Sequence, residues 1–152
     1  MKINTKNFGQ IEVADEKLIE FPNGIMGFEN MKTFTLIFDA QKEGRKNVMW
    51  LQSLDEEGFA MPMVDPLAVC EGYDPVVEDE ILKCIGDFEL EDLLILTTLT
   101  VPSDITKMST NLKAPIIINT VTKKGCQVIV DNEEYEIKHF IYDYLKKAKG
   151  EE

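Results

Sequence analysis

Ile116-Ile117-Ile118-Asn119-Thr120-Val121-Thr122-Lys123-Lys124-Gly125-Cys126-Gln127-Val128-Ile129-Val130 is the stretch that decides the architecture. Ile116 through Val121 is β-branched and apolar on both faces, as expected of a strand buried on both sides. Cys126, Val128 and Val130 then share one face, with Gln127 on the other. The short polar connection Thr122-Lys123-Lys124-Gly125 ends in glycine and reads as a hairpin. Asp131-Asn132-Glu133 next turns the chain toward Tyr135 and Ile137.

The same period-two pattern recurs outward from this hairpin. Leu93 through Val101 is a second strand apolar on both faces, and Val48 through Leu54 continues the period-two theme. Phe34, Leu36 and Phe38 lie on one face of a further strand that begins with Thr33 and Thr35 on the other; Ile11 and Val13 alternate with Gln10 and Glu12. Two segments carry helical spacing instead. After Pro75, the residues Val77, Ile81, Leu82 and Ile85 fall on one helical face, with Glu78, Asp79 and Glu80 in the first turn and Gly86 as the stop. Phe140, Ile141, Tyr144, Leu145 and Ala148 predict a C-terminal helix with lysines at its carboxyl end. Short strands with frequent turn signals predict an all-β fold, mainly antiparallel. The expected form is a small β-barrel-like or sandwich-like domain with one or two short helices and a C-terminal helix. It should occupy residues 1–145, with a Lys-rich polar tail over 146–152 that is disordered at its end. The longest linker-like stretch is Gln41 to Asn47, and no repeat interrupts the pattern.

A length of 152 residues fits one ordinary core. Hydrophobic residues at 44% exclude a disordered acidic tail. Asp and Glu number 28 against 16 Lys and Arg, a formal net charge of −12. Such a surface opposes nucleic-acid phosphates and anionic membranes, and favours a basic protein partner. Self-repulsion favours a monomer. The N-terminus has no apolar export signal, and Cys70, Cys84 and Cys126 form no C-x-x-C, so the thiols are expected to be reduced in a cytoplasmic protein.

Catalytic signatures are thin. His139 is the only histidine, at the expected start of the last helix, and no nucleophile motif accompanies it. There is no H-E-x-x-H and no EF-hand run, so neither a metal nor a cofactor is expected. Glu89, Glu91 and Asp92, like Glu78 to Glu80, read as solvated acids rather than an acid/base pair.

One connection is unusual: Phe21-Pro22-Asn23-Gly24-Ile25-Met26-Gly27-Phe28-Glu29. A turn needs Pro-Asn-Gly and little else. Its large apolar side chains either fold back into the core or present an anchor to a partner.

At these residues the chain resembles the FliW flagellar assembly factors. Phe21 to Glu29 is similar to the family's F-P-x-G-[IL]-x-G-F-E signature, and Met1 to Ile11 to its first hairpin. Trp50-Leu51-Gln52-Ser53-Leu54-Asp55, Val64-Asp65-Pro66, Asn111 to Asn119 and Lys124 to Asp131 follow in order. Met26 stands where the family often has proline, and Pro66 to Gly72 is less aromatic than usual. Lys138-His139-Phe140 resembles the family's Arg-His-Pro.

The resemblance implies a non-enzymatic, cytoplasmic regulator with a β-barrel-like fold and two partners, flagellin and CsrA, a small RNA-binding repressor of flagellin translation. Free protein would bind CsrA and relieve repression; accumulated flagellin would occupy it and restore repression. The alternative is an acidic flagellin chaperone with no translational role. Candidate partner-binding residues are Phe21, Gly24, Ile25, Met26 and Phe28 in the loop. Glu71, Asp74, Glu78, Asp79 and Glu80 are either electrostatic contributors or simply a solvated loop and helix start. Asn111 and Asn119 are expected to cap turns.

Overall fold

The computed structural model describes residues 1–38 and 48–142. In chain order its strands are β1 Lys2–Asn4, β2 Gln10–Glu12, β3 Ile19–Glu20, β4 Thr33–Phe38, β5 Val48–Ser53, β6 Ala60–Val64, β7 Leu93–Thr100, β8 Ser109–Thr110, β9 Ile116–Asn119, β10 Lys124–Gln127 and β11 His139–Phe140. A short helix, α1 (Asp79–Leu82), runs into a 3-10 turn at Lys83–Ile85.

Strands β7, β6, β5, β4, β3, β10 and β9 are hydrogen-bonded in that order, and β9 returns to β7. Of the two forms the pattern permits, the chain takes the barrel, whose closure removes free sheet edges. Every pairing in the ring is antiparallel except β3 with β10, which meet in parallel at Glu20 and Lys124. Beyond the ring, β7 pairs through Leu99–Thr100 with β8, which pairs in turn with β11. Strands β1 and β2 form a separate hairpin.

Ile116 and Ile118 on β9 join Leu96, Leu51, Met49, Met63, Phe34, Ile19, Phe21 and Ile25 in the principal core. Ile117, pointing the other way, packs with Cys126, Val128 and Val130 against Leu82 and Ile85. β9 is therefore covered on both faces, which is why its sequence shows no polar alternation. A third cluster of Val64, Val69, Leu99 and Ile141 lies where β11 joins β8.

Asn119 ends β9, fully buried. Its Oδ1 accepts from the amides of Val121 (3.0 Å) and Thr122 (3.3 Å), while its Nδ2 donates to the carbonyls of Ile85 (3.0 Å) and Asp87 (2.9 Å). One side chain thus shapes the hairpin turn and fastens the α1 segment to the barrel. Asn111 Oδ1 accepts from the amides of Lys113 and Ala114, both at 3.0 Å. Both asparagines cap turns, as expected.

Several local expectations change. The hairpin turn is Thr120–Lys123, two residues earlier than read, and the positive φ falls on Lys123 (61°). Gly125 lies inside β10 instead, where a Cβ would stand 2.7 Å from Phe21 Cζ. Glycine is needed there for close approach, not for turning. His139 and Phe140 open no helix; they form β11 against Thr110 and Ser109. Ladder hydrogen bonds outweigh the helical spacing at that point. Ile81, read as part of a buried face, is 41% exposed, because α1 spans only four residues and turns just Leu82 inward. Phe38 is exposed at the end of β4, where its strand outruns the core. The linker-like stretch Gln41 to Asn47, the rest of the C-terminal helix and the 146–152 tail lie outside the described residues.

Candidate functional site

The unusual connection between β3 and β4 consists of two successive tight turns. In the first, Gly24 N–H donates to Phe21 O (2.9 Å) and Pro22 presets the turn backbone. Gly24 has φ of 69°, and a Cβ there would lie 2.5 Å from Glu29 Cα. In the second, Phe28 N–H donates to Ile25 O at 2.7 Å, and Gly27 supplies φ of 86° at the third position, as a type II turn demands.

Met26 occupies the second position of that turn, where proline is favoured. Its amide donates to Gln127 Oε1 (3.0 Å), a bond proline cannot make. Gln127 Nε2 in turn donates to Ala114 O (3.1 Å), so the turn is tied to β10 and to the chain before β9. Gly27 N–H donates to Glu29 Oε2 at 2.9 Å. That bond is the main reason the Glu29 carboxyl titrates below the usual carboxylate range, with a smaller contribution from Lys32.

The apolar side chains of the loop divide. Phe21 and Ile25 fold back into the core, Phe21 with its ring 5.1 Å from that of Phe34. Gly24 is buried. Met26 (45% exposed) and Phe28 (42%) remain at the surface, Phe28 leaning on Phe59 at 4.6 Å between ring centroids. The exposed apolar surface of the loop is therefore Met26 and Phe28, on a base that Phe21, Gly24 and Ile25 make rigid.

Opposite Met26 lies the α1 segment. A cavity of about 200 Å³ separates them, with Met26 and Glu29 on the loop side, Ile81 and Cys84 on the helix side, and Cys126 and Gln127 contributed by β10. Glu78, Asp79 and Glu80 sit exposed on the turn leading to Ile81, and Glu80 pairs with Lys83 at 3.0 Å. With both partners of that pair highly exposed, its stabilising effect is small. The tertiary structure thus brings the signature loop and the α1 segment to one groove, which Ile81 and Cys84 line while Glu78, Asp79 and Glu80 stand outside its lining.

Glu71 and Asp74 are exposed but line no part of that groove. Asp74 belongs to a segment anchored elsewhere: its amide donates to Tyr135 Oη (2.7 Å), its carbonyl accepts from Asn132 Nδ2 (3.1 Å), and Val76 N–H reaches Asn132 Oδ1 (2.7 Å). Ile81, Cys84 and Gln127 were not singled out from sequence. The one available signal for Ile81 was its place directly before Leu82, about 100° around a helix from the residue that points inward.

His139 Nε2 lies 3.1 Å from Val69 O, a contact that holds β11 to the turn after β6. Among the described residues no group of three His, Cys, Asp or Glu side chains could hold a metal ion, and no helix is long and apolar enough to cross a membrane.

The profile of the FliW protein family matches residues 2–141. The chain belongs to the FliW family. It is 52% identical over 151 residues to the flagellar assembly factor FliW of Lachnospira eligens, covering 99% of this chain and all of that one. Identity is 47% to the FliW of Lachnoclostridium phytofermentans and 41% to that of Thermotoga neapolitana, with at least 98% of each chain covered in both comparisons. A crystal structure of the flagellar assembly factor FliW superposes with a TM-score of 0.84 at 29% identity, over 93% of this chain and 97% of that one. The closed barrel is thus the fold of the FliW family.

Proposed function

We propose that this chain is a cytoplasmic, non-enzymatic regulator of flagellum assembly. It binds the RNA-binding repressor CsrA and relieves repression of flagellin translation, and it is itself sequestered by flagellin. It works as a monomer, without a cofactor and without contacting nucleic acid or membrane directly. The observation that carries this reading is the groove between the two halves of the candidate site. Exposed Met26 and Ile81 line it from opposite sides together with Glu29; Phe28 is exposed on the same loop, and Glu78, Asp79 and Glu80 are exposed just before Ile81, on a chain of net charge −12.

Apolar contacts of this kind supply affinity at the centre of an interface, and a surrounding field of one sign steers a partner of the other. A strongly negative body docked beside an RNA-binding surface also repels RNA phosphates without covering the RNA contacts. Linkage then requires RNA to weaken protein binding by the factor that protein weakens RNA binding, commonly about 5–150-fold.

Titration of purified protein into a CsrA–RNA complex, with and without flagellin and at two salt concentrations, tests the reading. RNA release that flagellin suppresses and salt weakens is the expected result. Binding to flagellin with no effect on CsrA would replace the reading with that of a flagellin chaperone.

A further inference from the structure

Two of the three cysteines meet at the groove. Cys126 points from β10 into the cluster under α1, and Cys84, in the 3-10 turn that ends the helix, packs against that cluster. Both line the cavity beneath Met26. Cys84 is half-buried and reaches the groove, and its thiol donates weakly to Ile81 O at 3.4 Å. Cys126 is almost wholly buried, and it shares both this cavity and this packing cluster with Cys84. Cys70, by contrast, stands outside this cavity.

We propose that Cys84 and Cys126 form a peroxide-oxidisable dithiol whose disulfide reshapes the groove between the signature loop and α1. Redox-sensing thiols are accessible and often stand next to a resolving cysteine. Burial pushes the Cys126 thiol up to about 12, so Cys84, which reaches the groove, is the one that meets the oxidant and Cys126 the one that resolves. Disulfides in a reducing compartment are characteristically of this transient kind. The chemistry balances with hydrogen peroxide as oxidant. The Cys84 thiolate attacks one peroxide oxygen, the O–O bond breaks, and water leaves with the proton the thiol gave up, leaving a sulfenic acid. The Cys126 sulfur then attacks Cys84 Sγ, the S–O bond breaks, and hydroxide leaves as water with the Cys126 proton. Two thiols and one peroxide give one disulfide and two waters.

The consequence follows from position. A bond between the two sulfurs draws the exit of α1 onto β10, three residues from Ile81 on one side and next to Gln127 on the other. Gln127 is the residue that holds the Met26 amide, so the disulfide alters the spacing between Ile81 and Met26. The effect on partner binding rests on the function proposed above; the formation of the bond does not.

The full-length protein is treated with hydrogen peroxide, the remaining thiols are alkylated, and peptides are mapped by mass spectrometry. A Cys84–Cys126 cross-linked peptide with Cys70 alkylated is expected, and Cys84→Ser abolishes it. Alkylation of both Cys84 and Cys126 after oxidation, or pairing of either with Cys70, overturns the proposal. Because the wild-type map decides this, a poorly folding Cys126→Ser does not obscure it. Affinity for CsrA and flagellin is then measured on reduced and oxidised protein. A change of about fivefold or more for at least one partner supports the groove effect, and equal affinities in the two states overturn it. If the reduced protein binds neither partner, the proposed function fails instead. The groove effect is then read from the Met26 methyl resonance, which shifts on oxidation if the disulfide reshapes the groove and stays in place if it does not.

Discussion

Asn119→Ala tests the claim that one buried side chain holds the α1 segment on the barrel. Four hydrogen bonds disappear. Their partners are not left equally stranded. Ile85 O keeps the Thr122 Oγ1 donor at 2.7 Å. Val121, Thr122 and Asp87 are exposed residues whose backbone groups can turn to water. Each bond is thus worth its net value of about 0.5–1.5 kcal/mol rather than the full penalty of a buried orphan. Four such bonds, with some recovery by solvent, give a loss of about 2–4 kcal/mol. For a chain of this size that is a fall in Tm of about 4–16 °C. Urea unfolding followed by circular dichroism should show a lower midpoint at unchanged slope. Asn119→Asp keeps the acceptors for Val121 and Thr122 but faces a carboxylate to two carbonyls, so it should destabilise at least as much. A loss below about 1 kcal/mol for the alanine variant would falsify the argument that these bonds couple helix to barrel.

Three further outcomes are expected. Gly24→Ala places a Cβ against the Glu29 backbone at a positive φ, costing about 1–3 kcal/mol from backbone strain alone; thermal unfolding at wild-type Tm would contradict the double-turn geometry. Met26→Asp, at an exposed position, should leave Tm nearly unchanged while weakening CsrA and flagellin binding by calorimetry; unchanged affinity for both removes Met26 from the interface. The Glu29 carboxyl titrates low because its charged form accepts from Gly27, so its support of the loop is complete above the ordinary carboxylate pKa and is lost as pH falls through the lowered one. An NMR titration of the Gly27 amide should follow that low pKa, and Glu29→Gln should abolish the transition.

The sequence showed the strands and the all-β class because burial on one or both faces leaves a period-two record in each segment, as at Phe34 and at Ile116 to Ile118. It also marked the signature loop as richer in apolar residues than a turn requires. It misplaced the hairpin turn because glycine has two uses: Gly125 is there to admit the Phe21 ring, a neighbour more than a hundred residues away in the chain. The split of the loop into buried Phe21 and Ile25 and exposed Met26 and Phe28 was equally illegible, since all four are apolar and only packing distinguishes them.

Local physics written along the chain thus determined the element types, the acidic surface and the family signature. Closure of the barrel through β7 and β9, and the placing of Met26, Ile81, Cys84 and Cys126 around one cavity, were decided by the tertiary structure. Those contacts join residues far apart in sequence, and no periodicity or propensity of a single segment records which distant surface will cover it.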